Sequence, residues 1–366
     1  MLKLKLSSIE EATATSTSFS LLSGKKYVVG RRHVDGGLTI TFPGDPSIAQ
    51  QLTELEVLHE HLDVPLLKPM LLIKEIPSDS GIFIRTEQFT WRLIKRQIKL
   101  RIGDRFSFKP YQNAFTIDYT PFVVLPSSFS LTSELESMVE KLGGHCVNEW
   151  SSSVTHLVME EVKLSLKAVC ALLAGKPIVS PAFFSALLSA YDEGNNQLPD
   201  PNHFLPPVAI INNGSASRVN ETAFFPNPNR STLFEGKTFL FGNKQRLEIM
   251  KPVVLEGGGC AKLIAEVREE DILLGNHIII DYPKSIEDAM NDPISRQIIE
   301  CYKSGNKRFL TNKQIGLAVI FCSTEYFCDP EVGGDIAANP ALNGEIANNF
   351  DVYDLCDDLV ARLCGC

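Results

Sequence analysis

The sequence predicts a multidomain chain, an all-β sandwich followed by two α/β domains that each hold a small parallel sheet flanked by helices. Three observations carry this. Residues 19–120 hold short β-branched or aromatic runs separated by Gly, Pro, Asp and Ser. Residues 121–205 alternate strand and helix periods at short spacing, the pattern of a parallel sheet with crossover helices. Residues 233–330 repeat that alternation. At 366 residues the chain has room for two or three separate cores.

Taken in order, residues 1–18 read as an N-terminal segment. Strand candidates follow at 27–29, 38–42, 70–74, 82–84 and 115–117, while 48–61 fits either period. Pro121 and Pro126 mark the passage into the second block. There 133–142 predicts an amphipathic helix with Leu135, Met138, Val139 and Leu142 on one side. Gly143-Gly144 opens a short strand, and a second strand runs through Thr155-His156 and the apolar residues beyond. A compact helix then ends at Gly175, before a third apolar strand. Residues 206–232, rich in Pro, Asn and Ser, read as a linker. The third block has a strand at 238–241, a helix-compatible stretch at 245–254 and a turn at Gly257-Gly258-Gly259. A strand candidate at 277–281, a helix candidate at 294–302 and an apolar run at 315–322 complete it. Residues 331–366 read as a tail with one short helix at 353–363.

Composition excludes several classes. A formal net charge of −9 argues against a protein that coats nucleic acid over a broad face, since phosphate neutralisation supplies most of that affinity. The local exception runs from Trp91 to Arg105 and gathers Arg92, Lys95, Arg96, Lys99, Arg101 and Arg105. It reads either as a solvated strand or loop face or as a patch for phosphate or acidic groups. The nine cysteines are odd in number and form no CxxC pair, which suits reduced thiols and gives no reason to expect a metal or other cofactor. The terminal Cys-Gly-Cys resembles a doubly prenylated tail, but the carrier domain such tails accompany is not evident. No apolar run is long enough to span a bilayer and the N-terminus lacks a secretory core, so cytosol or nucleus is expected, without a membrane partner.

Catalytic patterns are not evident either. His156 reads as a core or turn histidine. Gly257-Gly258-Gly259-Cys260 lacks the Lys-Ser/Thr of a phosphate-cradling loop, and no nucleophile elbow, zinc-protease pattern or carboxylate pair stands out. Trp91 and Trp150 read as packing residues. The expectation is a binding protein, not an enzyme.

The local words carry a resemblance. Tyr27-Val28-Val29-Gly30-Arg31, and Gly103-Asp104 with Phe106 and Phe108, are similar to the strand-turns of forkhead-associated domains. The run from Leu142 to Ser180 resembles a BRCT repeat. Gly236-Lys237-Thr238-Phe239, the triple glycine, the apolar run from Ile315 to Phe321 and Cys328-Asp329-Pro330 resemble a second one. Over residues 20–330 the chain is similar to the regulatory subunits of the double-strand-break repair nuclease complex. That resemblance implies a non-catalytic scaffold in the nucleus, on the chromosome at sites of DNA damage. Its implied ligands are phosphorylated mediator proteins with acidic, doubly phosphorylated Ser-Asp-Thr motifs. It also implies recruitment of a nuclease and a damage-signalling kinase, whose binding segments lie in a long C-terminal region expected to be absent from this chain.

The resemblance also names site residues. Forkhead-associated domains bring a Gly-Arg turn, a Ser-x-x-His-like loop and a Gly-Thr turn onto a phosphothreonine. Arg31 is retained here, but the second loop reads Ser47-Ile48-Ala49-Gln50-Gln51-Leu52, and Ile82 stands where Thr is expected. Each lost charge-assisted bond to phosphate costs about 1.5–3 kcal/mol. A degenerate site is therefore expected, with Arg31, Ser47 and Gln50 as its remaining candidates. In phosphate-reading BRCT repeats a hydroxyl after the first strand and a lysine opening the second helix meet on a phosphoserine. Ser127 and Ser128 follow the first strand here, and Ser165-x-Lys167 opens the helix. The alternatives are a turn serine and a solvated lysine. Two other readings stay open: an adaptor that binds an unmodified partner through the tandem-repeat surface, and direct DNA binding through residues 95–105.

Overall fold

A computed structural model describes residues 2–7, 18–31, 38–41, 51–58, 68–75, 82–86, 89–94, 97–108, 114–127, 129–193, 198–208, 220–274, 276–281, 285–325 and 327–331. The strands that come first are β1 (Leu2–Ser7), β2 (Ser18–Leu21), β3 (Lys26–Gly30), β4 (Leu38–Thr41), β5 (Thr53–Leu58) and β6 (Met70–Glu75). They continue with β7 (Ile82–Thr86), β8 (Phe89–Ile94), β9 (Ile98–Leu100), β10 (Arg105–Ser107), β11 (Ala114–Tyr119) and β12 (Val123–Pro126). Next are α1 (Ser133–Lys141), β13 (His145–Cys146), β14 (His156–Val158), α2 (Leu166–Leu173), β15 (Ile178–Val179) and α3 (Ala182–Asp192). The last described elements are β16 (Thr238–Phe241), α4 (Lys244–Glu256), β17 (Cys260–Leu263), α5 (Glu269–Leu274), β18 (His277–Ile279), α6 (Ser285–Ala289), α7 (Pro293–Ser304) and α8 (Asn312–Phe321). Contacts divide the chain into two units. One takes in residues 1–124, 131–147 and 182–199; the other takes in 125–130, 148–181 and 200–366.

The first unit is built on a sandwich of a six-stranded sheet, ordered β2-β1-β11-β10-β7-β8, and a five-stranded sheet, ordered β4-β3-β5-β6-β9. Its core joins Val29, Leu55, Val57, Leu71 and Ile73 of one sheet to Ile82, Ile84, Phe106, Phe115 and Ile117 of the other. Phe106 stacks on Phe115 with ring centroids 5.0 Å apart, and full burial of such a ring is worth roughly 2–3 kcal/mol. Within the stretch at 48–61, which fits either period, residues 53–58 form the strand β5. Thr53, Leu55 and Val57 turn inward, while Glu54 and Glu56 face out to Lys74 Nζ at 3.2 and 2.8 Å. The N-terminal segment is not separate from the sandwich, because β1 pairs with both β11 and β2. In the same unit α1 is capped by Thr132, whose side chain accepts from the Leu135 N–H. Gly144 follows, where an added Cβ would stand 2.3 Å from the Phe122 carbonyl oxygen.

β12 starts in the first unit and ends in the second, where the Ser127 N–H donates to Val158 O at 2.9 Å. In the first unit β12 runs parallel to β13, and in the second β14 runs parallel to β15. In the second unit α2 is buried at every position except Lys167. A helix apolar nearly all round must be covered on all sides; α2 packs on β14 and β15 and also against α4 and α8. Close approach supports that packing, since a Cβ on Gly316 of α8 would lie 2.6 Å from the Leu164 Cδ2. Trp150, read as a packing residue, donates its indole N–H to Glu256 Oε1 at 3.0 Å. The second repeat has a parallel sheet ordered β17-β16-β18, over a core of Leu240, Ile264, Ile279, Ile298, Ile299 and Tyr302.

The linker expected at 206–232 is only partly one. Val208 bridges Val162, Phe224 is buried, and Arg230 is 2% exposed. Arg230 donates to Val319 O and Phe225 O, each at 2.8 Å, and to Ala223 O, fastening residues 220–232 onto α8. Residues 209–219, and the helix expected at 353–363, lie outside the described residues.

Candidate functional site

Two local rules place the residues of the first repeat's candidate site. A parallel strand delivers the residue after it to the carboxyl end of the sheet, and a helix N-cap must offer an oxygen to the free N–H groups of the first turn. Ser127 follows β12 and is 5% exposed. Ser165 caps α2, accepting from the Ala168 N–H at 3.2 Å. The two hydroxyl oxygens lie 3.2 Å apart. Lys167, the partly exposed residue of α2, reaches back so that Nζ donates to the Pro126 carbonyl at 3.1 Å. Hydroxyl and ammonium groups therefore converge where β12 ends and α2 begins. No acidic residue occupies the first turn of α2, so the positive end of the helix is not offset there.

The structure thus brings together Ser127 and Lys167 and adds Ser165, which was readable only as the helix-opening serine two places before the lysine. Ser128 lies outside the described residues. The Ser127 N–H is spent on Val158 O, so it belongs to the sheet. The second repeat has a different chemistry, with the Asn243 side-chain amide donating to Asp288 Oδ2 at 3.3 Å. β16 is followed by Gly242 and Asn243, and α7 is capped by Asp292, whose carboxylate accepts from the Ser295 N–H at 2.8 Å. That bond holds the Asp292 carboxyl below its ordinary range, so it is an anion.

Of the forkhead-associated candidates, Arg31 directly follows β3 and is half-buried, while Ser47 and Gln50 lie outside the described residues. Ile82, standing where a threonine is expected, is 1% exposed and part of the sandwich core. His156 is partly buried: its Nδ1 lies 2.9 Å from Thr155 Oγ1, and burial, reinforced by Lys176, pushes its imidazole down to about 4. The triple glycine makes a turn at which Gly258 has φ +79° and Gly257 backs onto the Phe234 ring. Among the described residues no group of His, Cys, Asp and Glu is arranged to hold a metal ion, and no helix is long and apolar enough to cross a membrane.

Comparison with known proteins fits this architecture. Residues 121–188 match the BRCA1 C Terminus (BRCT) domain family, and residues 228–330 match the family described as the second BRCT domain on Nijmegen syndrome breakage protein. Among solved structures, the FHA/BRCT-repeat domain of S. pombe Nbs1 aligns with a TM-score of 0.50 and 14% identity, covering 82% of this chain and 99% of that one. The S. pombe Nbs1-Ctp1 complex aligns with a TM-score of 0.51, covering 87% and 93%. The class is therefore that of proteins with a forkhead-associated domain followed by BRCT repeats.

Curated relatives narrow it. Nibrin of Gallus gallus is 33% identical over 330 residues, and nibrin of Rattus norvegicus is 32% identical over 327 residues. Over 87% of its length the chain is similar to nibrin. It spans 42% of the length of the first relative and 41% of the second.

Proposed function

We propose that this chain is a non-catalytic adaptor of the DNA damage response and double-strand-break repair, whose first BRCT repeat reads a phosphorylated partner protein. The observation that carries the reading is the convergence of Ser127, Ser165 and Lys167 at the end of β12 and the start of α2. Ser165 Oγ already accepts from the helix, so its own proton is best spent on Ser127. The Ser127 proton is then available to a phosphate oxygen. Lys167 supplies charge, and the N-terminus of α2 favours an anion. Ser128 is the second hydroxyl candidate. In the second repeat Asn243, just after β16, donates to the Asp288 carboxylate at 3.3 Å, and a carboxylate there disfavours phosphate, which supports the first repeat as the reader. The forkhead-associated site, reduced to Arg31, Ser47 and Gln50, contributes weakly, since core burial of Ile82 removes one of its donors.

Similarity to nibrin extends the proposal to the regulatory subunit of a repair nuclease complex. It would act in the nucleus, on the chromosome at sites of damage, with phosphorylated mediator proteins as ligands and a damage-signalling kinase as a further partner. S. pombe Nbs1, similar in fold, forms a complex with Ctp1. Calorimetric titration with a doubly phosphorylated acidic peptide and its unphosphorylated twin tests the reading. Binding of the phosphorylated peptide alone is expected. Equal binding of both would leave an adaptor that ignores phosphate.

A further inference from the structure

We infer that the outer face of the six-stranded sheet is a binding surface for single-stranded nucleic acid. The strand register sets four residues abreast. Lys5 of β1 pairs with Thr116 of β11, Thr116 with Arg105 of β10, and Arg105 with Arg85 of β7. The register then slips: Ile84 faces Arg92 and Thr86 faces Phe89, so Thr90 and Trp91 of β8 together stand opposite Arg85. Such a bulge re-aims side chains beside functional surfaces.

Alternation identifies the face. Ile84, Phe106, Phe115 and Ile117, the chain neighbours of this row, are all core residues. Arg85 is exposed, and Arg105, Thr116 and Trp91 are half-buried.

The row is a poor fit to a purely structural role and a good fit to an anionic strand. Arg105 and Arg85 are paired on neighbouring strands about 4.8 Å apart, close enough to meet adjacent phosphates of one strand. No carboxylate stands in the row, although the whole chain carries a net charge of −9. Asp118, the nearest acid by register, lies two residues along β11 opposite Lys3, and its Oδ1 accepts from the Tyr119 N–H. Arg105 Nε donates to Thr116 Oγ1 at 3.2 Å, which holds the guanidinium along the row before any ligand arrives. Trp91 decides the class of ligand. An indole beside a guanidinium pairs a stacking platform with a phosphate contact, the combination that binds single strands without sequence preference. Phe83 and Leu93, paired in the next row, extend the apolar floor, with Leu93 42% exposed. An acidic peptide would use the cations and leave the indole idle, and a duplex hides its bases from it.

The test uses the full chain. Its two tryptophans are Trp91 and Trp150, so a Trp150→Phe background leaves Trp91 as the reporter. Titration with a thymidine homo-oligonucleotide is expected to quench Trp91 fluorescence. The logarithm of the binding constant should fall with the logarithm of salt at a slope of about −1.4, for two phosphates neutralised by Arg85 and Arg105 on a single strand. Arg85→Glu should weaken binding by roughly tenfold or more with an unchanged circular dichroism spectrum, and Trp91→Ala should weaken it further. Should Trp150→Phe fail to fold, anisotropy of a labelled oligonucleotide on the natural chain reads the same constants. The inference is overturned by binding that Arg85→Glu and Trp91→Ala leave unchanged, by absence of quenching, or by a duplex that binds as well as the single strand. It is equally overturned if polyglutamate of matched charge quenches Trp91 as strongly, which would make the face an acidic-peptide surface.

Discussion

Ser127 and Ser165 are 38 positions apart in the chain, yet their hydroxyl oxygens meet at 3.2 Å. One closes a parallel strand and the other caps a helix, so each is held by backbone bonds that the fold requires in any case. The pair is therefore rigid before any ligand arrives, and the entropy of ordering two hydroxyls has already been met by folding.

Lys167→Met should separate binding from folding. The side chain is the one position of α2 that is not buried, so the variant is expected to melt within a few degrees of the natural chain. Loss of a charge-assisted contact costs about 1.5–3 kcal/mol, or roughly 10- to 150-fold in phosphopeptide affinity. Calorimetry measures it. An affinity unchanged by the substitution would confine Lys167 to a structural role.

Ser165 carries two roles that substitution can divide. Ser165→Ala removes an N-cap, worth about 1 kcal/mol of stability, and also frees the Ser127 hydroxyl from its partner. Ser165→Thr keeps the oxygen and should restore both. Phosphopeptide affinity is expected to drop with alanine and recover with threonine. An alanine variant that is less stable but binds as before would confine Ser165 to capping.

Much of this was legible in the sequence, because the cues were local. Gly143-Gly144 before β13, the Ser-x-Lys at the start of α2 and period-two alternation in β7 and β11 each fix an element from its own residues. What was hidden depends on contacts distant in sequence. Residues 2–7 alternate leucine with lysine, a local strand cue, but the place β1 fills between β2 and β11 rests on partners more than ten residues away. Arg230 sits in a Pro- and Asn-rich stretch whose composition says linker, and its carbonyl partner Val319 is 89 residues away. The hydroxyl contact of Ser165 needed both the strand end and the helix start in place. Composition described the basic run at 91–105 as one stretch, whereas the register brings Trp91 and Arg105 into one row with Arg85 from another strand.

Stability should fall in mild acid through His156. Burial holds this imidazole at about 4 in the folded protein, below its ordinary range. In the unfolded chain it takes up a proton near 6.5. The unfolded state therefore binds more protons between those values. The contribution is complete above about pH 6.5 and is lost as pH falls towards 4, amounting to about 3 kcal/mol across the window. Urea midpoints at pH 7 and pH 4.5 are expected to differ more for the natural chain than for His156→Gln. An equal difference in both would place the acid sensitivity elsewhere.

Arg230 offers the sharpest stability test. Its guanidinium is almost fully buried, and the partners given by its geometry are three carbonyls, so its anchor is hydrogen bonding to backbone. Burial lowers its pKa, an indication of how much solvation those carbonyls must replace. Val319 O keeps the Cys322 N–H when the arginine is removed, whereas Phe225 O and Ala223 O lose the contact that ties them to α8. Arg230→Met should therefore cost about 2–4 kcal/mol and lower the melting temperature by roughly 5–10 °C. Lysine cannot spread its donors over three carbonyls in the plane of a guanidinium, so Arg230→Lys should recover less than half of the loss. Hydrogen exchange should speed up at the C-terminal half of α8 in both variants. If the methionine variant melts with the natural chain, residues 220–232 are held by Phe224 and the other apolar contacts instead.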